Sequence, residues 1–441
     1  MKIAHLVPYF IPESVGGTEI YVLRLCKALR QMGDDVCIIV PGKYALKTQQ
    51  QVIEDIAVYR FSVSARDFRH GLRDGGALDG WGLIMEFLRD WKPDLLHSHA
   101  IGTIFQTREI EEVKGLGLSV VATLHLPTLG YGCAKGTLIR SIGTPCDGIS
   151  ESVTCASCAL GRHGLSERFS KRLASLPLTA SRILDLFPGK FGTAAGMRHR
   201  INRMQSLQRE WIKSIDAIIA VADWAKRVLC ENGTPAGKVH VIRTGIEPPE
   251  TGESGPALEP VQPPIRIGYM GRLDETKGVH VIIGAMHSLP EHTGLSLEIY
   301  GDGDPSYRER LLAMIGKDER IKLKGFVEPE LVYGVTAKFD LLCVPSTGVE
   351  MYPLVAVEGL AVGTPIIASD IGGLAEIVID GVNGKLFPPG DHIALAKILE
   401  EIVRQPGIVD RWRGGIGVPI TVSEMANKHR QLYTNLLGTR V

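Results

Sequence analysis

The sequence predicts an α/β protein built from two doubly wound, Rossmann-like domains that face each other across a deep cleft. Three observations carry that expectation. The chain has 441 residues, beyond the size at which one hydrophobic core stops growing, so two domains of about 200 residues each are expected. Short apolar runs alternate with stretches of helical periodicity in both halves. Between the halves, 247–264 reads EPPETGESGPALEPVQPP, where periodicity gives way to the Pro, Gly and Glu of an exposed linker.

In the first half, 1–246, residues 2–10 read as a buried strand, and Thr18–Met32 carries apolar residues at helical spacing until Gly33 stops it. DVCIIVPG, DLLHSHA, SVVATLH and DAIIAVA are further strands, separated by helical patterns such as GLIMEFLRDW. In the second half, 265–420, the strands are IRIGYMG, LSLEIYG, IKLKGF, DLLCVPS and TPIIASD, each followed by a helical stretch of about ten residues. The end, 421–441, reads as a helix with no strand after it, expected to pack back across the cleft.

Hydrophobic residues make up 44% and charged residues 22%, an ordinary globular balance. Lys plus Arg and Asp plus Glu both total 49, so no global field points to nucleic acid. MKIAHLVPYF is too short an apolar run for a signal peptide, and no stretch of about 18 apolar residues follows, so the protein is expected in the cytosol. Disulfides are rare there, and a cluster among the eight cysteines is better read as metal-binding or redox-active.

Doubly wound sheets bind ligands at the carboxyl ends of their strands, so the loops after strands are the places to search. Gly16 and Gly17 open a helix at Thr18 and Glu19, where bare amides approach a phosphate or sugar; a mere tight turn is the competing reading. GYMGRLDETKG puts Arg272 and Lys277 five residues apart around a turn, where two cations converge on a dianionic leaving group unless each is a solvated surface charge. Glu350 and Glu358 have seven residues between them, and Pro353 fits the first turn of a helix running to Ala361. Glu350 then lies in the loop beside free helix amides, while Glu358 sits more than a turn inside and reaches a ribose. Solvated helix faces would explain an isolated glutamate pair, but Glu358 lies within the apolar LVAVEGLAV.

These residues resemble the retaining glycosyltransferases of family 4, of GT-B fold. The family's C-terminal domain carries a Glu, seven residues, Glu element followed by Gly-x-Pro and a Gly-Gly pair, here Glu350, Glu358, Gly363, Pro365, Gly372 and Gly373. The likeness spans nearly the whole chain, with HSHA, TLH, GRLDETKG, GDGD, GFV and TPIIASDIGG falling in order. The resemblance implies that Arg272 and Lys277 hold the donor diphosphate, Glu350 the transferred sugar and Glu358 the ribose. It also implies that Phe326 and Val327 border the nucleobase, with Met351, Tyr352 and Leu354 beside the donor. His125, ending SVVATLH, looks like the family's histidine near the transferred sugar, where it binds or relays a proton. VIRTGIE stands where the family often has Pro-Asn-Gly, and Leu126 where Asp is frequent. The implied reaction moves a sugar with anomeric retention from a nucleoside diphosphate to a glycan or lipid-linked acceptor, with no cofactor or metal required for catalysis. A non-catalytic partner of another transferase and a sugar-nucleotide epimerase share this build; the intact cations and carboxylates argue against the first, and product analysis distinguishes the second. A dehydrogenase is disfavoured because no Gly-x-Gly-x-x-Gly follows the first strand.

Within 130–213 lie two further features. Cys133, Cys146, Cys155 and Cys158 are spaced by twelve, eight and two residues, a set that suits a tetrahedral structural zinc; free thiols, disulfides and an iron–sulfur cluster stay open. From Arg162 to Lys213 cations outnumber acids by eleven to three, interleaved with Leu, Phe and Ile. This reads either as an element for an anionic membrane surface, which would make the protein peripheral on the inner face, or as a solvated helical hairpin over the acceptor site.

Overall fold

The computed structural model describes residues 1–14, 16–42, 49–62, 80–99, 105–125, 133–134, 136–247 and 260–438. Leu126, most of the expected linker (248–259) and the first residues of the insert (130–132) lie outside the described residues. The chain divides into two compact units: Met1–Ile142, Cys146–Gly245 and Val422–Val441 form the first, Gly143–Pro145 and Ile246–Thr421 the second.

The first unit is built on β1 (Lys2–Leu6), β2 (Asp35–Gly42), β3 (Gln49–Ile53), β4 (Ile56–Ser62), β5 (Leu95–Ser98), β6 (Ser119–Leu124), β7 (Ala217–Ala220) and β8 (Val239–Val241). They form one sheet in the order β3-β4-β2-β1-β5-β6-β7-β8. Every pairing is parallel except β3 with β4. That antiparallel edge departs from the purely alternating reading of the sequence. Its cause is a two-residue turn, Glu54 and Asp55, both at positive φ (45° and 65°), the backbone that closes a tight hairpin. The Lys27 ammonium donates to the Glu54 carboxylate at 2.6 Å and the Arg30 guanidinium to the Asp55 carbonyl at 2.6 Å, which holds this strained turn in place.

Parallel strands buried on both faces should be near-continuously apolar, and β5, β6 and β7 are buried at every residue. The polar members among them, His97, Ser98, Ser119 and Thr123, are therefore anomalies. The C-terminal helix Val422–Gly438 returns to this unit and packs on the helix Gly17–Gln31. It buries Val422, Met425, Ala426, Leu432 and Tyr433 in the same core, each large apolar side chain contributing about 1.5–3 kcal/mol. Arg430 adds a bond to the buried Asp34 at 3.0 Å.

The second unit is a parallel sheet of β9 (Ile265–Met270), β10 (Leu295–Tyr300), β11 (Ile321–Gly325), β12 (Leu341–Val344), β13 (Ile366–Ser369) and β14 (Gly384–Phe387), in the order β11-β10-β9-β12-β13-β14. Here β14 is an addition to the strands read from the sequence. Only its end residues are buried, so it lacks the apolar run that marks the others. Because the strands are parallel, the loops after β9, β10, β11, β12 and β13 all emerge at one edge, where α/β sheets bind ligands. No described helix of either unit is long and apolar enough to cross a membrane.

Candidate functional site

In the second unit the sequence places three glycine-bearing loops around one carboxylate. Asp274 caps the single turn Glu275–Lys277 by accepting from the Thr276 amide at 2.9 Å. Burial would raise the Asp274 carboxyl, but the Thr276 hydroxyl and amide, with the nearby Arg272 and Lys277 charges, hold it below its usual value. Gly278 ends the turn at φ 72°, and a Cβ there would lie 1.9 Å from the Pro345 carbonyl oxygen. The loop after β9 therefore lies against the loop after β12, and Thr347 and Gly348 both donate to the Thr276 carbonyl, at 2.8 and 2.9 Å. The loop after β10 braces the other side: Leu273 donates to the Asp302 carbonyl at 2.9 Å, and Asp304 to the Leu273 carbonyl at 3.1 Å.

This stitching delivers the Lys277 Nζ to Glu350 Oε1 at 2.6 Å, and the Ser346 hydroxyl donates to the same oxygen at 2.8 Å. Gly373 donates to the Glu350 carbonyl at 2.8 Å. A Cβ on Gly372 would stand 2.4 Å from that carbonyl oxygen, and one on Gly373 1.8 Å from the Met351 carbonyl oxygen. The Gly-Gly pair is thus what lets the loop after β13 touch the Glu350 loop. Arg272 is exposed in the loop after β9, its charge felt at Asp274, and the buried Tyr269 donates to its carbonyl at 3.0 Å.

Pro353 is the cap of the helix Leu354–Ala361 and not its first turn, a shift of one residue from the sequence reading. The geometry gains from it: Pro lacks an amide, so the first amides of Leu354 and Val355 are the orphans left to an outside acceptor. Met351 is buried, Tyr352 and Leu354 are half-buried, and Glu358 is half-buried a turn into the helix. Phe326 is 64% exposed after β11 with Val327 half-buried beside it, an aromatic face open to a flat partner. Asp302 and Asp304, in GDGD, have the spacing of a two-carboxylate metal motif, a pattern the reading of the sequence took to be absent. The structure commits Asp304 to capping the helix Pro305–Ile315 through the Tyr307 amide (2.9 Å), and Asp302 Oδ1 accepts from the Gly303 amide (2.8 Å).

In the first unit Gly16 caps the helix Gly17–Gln31. A Cβ on Gly16 would lie 2.8 Å from Glu19 Oε2, and Ser14 donates to the other Glu19 oxygen at 2.8 Å. A buried carboxylate already complements this helix end. His125 follows β6, half-buried, and is joined to a set of buried histidines that sequence reasoning missed: His5, His97, His99 and His429. The signal was present in HSHA, whose His97 and His99 are two residues apart at the end of a buried strand, and in the single histidine, His5, within the buried first strand. Burial drives all five toward the neutral form, to about 3 for His5 and His125 and about 4 for His429. His5, His97 and His99 each bring one ligand atom within 4.8 Å of the others, a metal-like spacing. Five of their six ring nitrogens are nonetheless already hydrogen-bonded, leaving only His5 Nε2.

Cys133, Cys146, Cys155 and Cys158 are half-buried free thiols. Burial raises the Cys155 thiol, and the Cys146 and Cys133 thiols add to the rise, so these three lie near one another. The four do not form a set of ligand atoms within 4.8 Å. The basic insert folds as short helices, Glu167–Ala174, Leu178–Leu184 and Gly189–Ala195, ahead of Met197–Ser214. It exposes Phe169 (64%), Ile183 (60%), Leu186 (82%), Phe187 (55%) and Phe191 (71%) beside the exposed Arg168, Lys171, Arg172, Arg182 and Lys190.

The family described as Glycosyl transferases group 1 matches residues 255–414, and the Glycosyl transferase 4-like domain matches 16–245. Glycogen synthase of Mycobacterium tuberculosis is 33% identical over 433 residues, covering 93% of this chain and 88% of that one. Phosphatidyl-myo-inositol mannosyltransferase of Mycobacterium leprae is 31% identical over 247 residues, which span 54% of this chain and 63% of that enzyme. Among solved structures, Anabaena HepE in complex with UDP-glucose aligns over 99% of this chain and 100% of its own with a TM-score of 0.61 at 17% identity, a likeness of fold. The chain therefore belongs to the group 1 glycosyl transferases, with a glycosyl transferase 4-like N-terminal domain, and its two parallel-sheet units have the GT-B fold.

Proposed function

We propose that the protein transfers a sugar, with retention of anomeric configuration, from a nucleoside-diphosphate sugar to a glycan or lipid-linked acceptor in cell-surface polysaccharide or glycolipid synthesis. The observation that carries this reading is the Lys277–Glu350 pair, held by three glycine-bearing loops, with Arg272 exposed five residues before Lys277 and a helix opening at Leu354, four residues after Glu350. Two cations and a helix N-terminus stabilise a departing diphosphate. The carboxylate of Glu350 accepts from sugar hydroxyls, that of Glu358 from a ribose, and Phe326 with Val327 borders the base. Anabaena HepE, whose fold this chain shares, binds UDP-glucose, which supports a nucleotide-sugar donor here.

In the step we favour, the bond from the anomeric carbon to the phosphate oxygen breaks as the acceptor hydroxyl attacks from the same face. The hydroxyl proton passes to the departing phosphate oxygen, so no protein nucleophile is needed and no metal takes part. The donor side is tested by thermal shift, because a ligand held at 100 times its Kd stabilises by about 2.7 kcal/mol. Nucleotide-sugars should raise the melting temperature of the wild type, and Lys277→Ala should shrink that rise. An equal rise in both proteins would sink the diphosphate assignment.

The acceptor reading rests on the insert. Bulky apolar side chains standing exposed among cations are the composition of a surface that settles into anionic headgroups, and we assign the insert to the cytoplasmic face of a membrane. The protein should float with vesicles containing anionic lipid and not with neutral ones, and Phe187→Asp with Phe191→Asp should abolish flotation. Binding unaffected by that pair would remove the membrane assignment. The four cysteines supply the soft donors zinc prefers, and we propose that they bind one structural zinc, drawing the loop tighter than it stands. Purified protein with well under one equivalent of zinc would overturn this.

A further inference from the structure

The buried histidines form two hydrogen-bonded chains, and the partners decide where each proton sits. The first chain starts from a carbonyl. Met425 O only accepts, so His429 Nδ1, 2.8 Å away, carries its hydrogen, and His429 Nε2 accepts from the Tyr21 hydroxyl at 2.9 Å. Tyr21, its one hydrogen used, accepts from the Thr123 hydroxyl. Thr123 in turn accepts from His97 Nε2 at 2.7 Å, and His97 Nδ1 accepts from the Tyr433 hydroxyl at 2.7 Å. Every member is neutral and satisfied in one arrangement only.

The second chain runs His5 Nδ1 to His99 Nε2 at 3.1 Å, then His99 Nδ1 to His125 Nε2 at 2.9 Å. Two arrangements of its hydrogens are self-consistent. If the hydrogens point inward, toward His5, then His5 Nε2 carries an N–H with no partner at a residue that is 0% exposed. If they point outward, that nitrogen is only a bare lone pair, and the surplus N–H falls on His125 Nδ1, at the half-buried end of the chain. Orphaned buried N–H groups are rarer than under-used acceptors, so the outward arrangement is favoured. Tyr21 meets the His125 ring edge-on, with centroids 4.6 Å apart, and fixes its plane.

We propose that His5 and His99 are positioning residues that lock His125 in its neutral Nδ1–H tautomer, making it a fixed hydrogen-bond donor to a substrate oxygen and excluding it from proton transfer. This rests on the reading of the chain as a sugar transferase, since His125 faces substrate only in that reading. A donor of fixed direction is pre-organised for an oxygen that gains charge during transfer, and the second ring nitrogen is permanently occupied.

Nitrogen-15 spectra of the full chain with labelled histidine, at pH 7.5 and without substrate, test the tautomer directly, with His125→Gln identifying its signals. His125 Nδ1 should resonate as a protonated, pyrrole-type nitrogen and Nε2 as an unprotonated one; the reverse pattern overturns the proposal. In His99→Leu, or in His5→Leu if the former does not fold, the two His125 signals should move toward each other as the tautomers mix. Turnover should then fall roughly 10- to 100-fold with the donor KM unchanged, as when an outer partner of a functional histidine is lost. His99→Asn keeps an N–H where Nδ1 stood and should restore both signals and rate. Unchanged signals in both leucine variants overturn the positioning role. The tautomer is read without turnover, so a wild type that transfers no sugar would refute the transferase reading alone.

Discussion

Replacing Glu350 by Ala should lower kcat/KM for sugar transfer by on the order of 10²–10³, about 3–4 kcal/mol of lost transition-state stabilisation. Two losses combine. The carboxylate that would accept from the sugar hydroxyls disappears, and Lys277 loses the partner that holds its ammonium at 2.6 Å. The backbone of the loop should survive, because the contacts that fix it involve the Glu350 carbonyl and the Gly372–Gly373 pair. Glu350→Gln separates the contributions: it keeps the shape and can accept from the Ser346 hydroxyl, but it forfeits the charge that anchors Lys277. If charge matters most, Gln should be nearly as impaired as Ala. An unchanged kcat/KM in the Ala variant, measured from initial rates of product formation over a range of donor concentrations, would remove Glu350 from the donor site.

The parts of this site that were legible in the sequence are those in which spacing determines place. A strand, a turn and a helix put Arg272 and Lys277 after β9, and Glu350 ahead of Leu354–Ala361, whatever the details of packing. What spacing does not convey is contact between loops distant in the chain. The Gly278 approach to Pro345 and the Gly372 approach to the Glu350 carbonyl exist only because neighbouring parallel strands end side by side. The hairpin of β3 and β4 was missed for a different reason: positive φ at Glu54 and Asp55 is uncommon for such residues, and no Gly or Asn marks the turn. The histidine chains were hidden because their members come from β1, β5, β6, the residues just after β5 and β6, and the helices Gly17–Gln31 and Val422–Gly438, and a lone histidine on an apolar strand looks like any other core residue. The helix at the C-terminus was legible as a helix. Its polar contribution to the core, His429 and Tyr433, was not.

Acidification should unfold the first unit at a pH where most cytosolic enzymes are stable, and the buried histidines set the direction. In the unfolded chain each imidazole takes up a proton near its ordinary value of about 6.5. In the folded unit burial holds His5 and His125 neutral down to about 3 and His429 down to about 4, with His97 and His99 also well below the ordinary value. Below pH 6.5 the unfolded state therefore binds more protons than the folded one, and stability falls as pH falls. Each such histidine costs roughly 1.4 kcal/mol per pH unit once the unfolded side chain is protonated. Several acting together approach the whole stability of an ordinary domain, about 5–15 kcal/mol, within one to two pH units. Exposed carboxylates titrate below this window, so they do not mask the effect. Circular dichroism melts between pH 7.5 and 5 should show the transition of the first unit dropping steeply from about 6.5 downward. His5→Leu, which replaces a fully buried imidazole bearing one unpartnered nitrogen, should lessen that slope by about one proton. A melting temperature that stays level from pH 7 to 5 would mean that these histidines accept protons in the folded protein, and the neutral hydrogen-bonded chains would have to be abandoned.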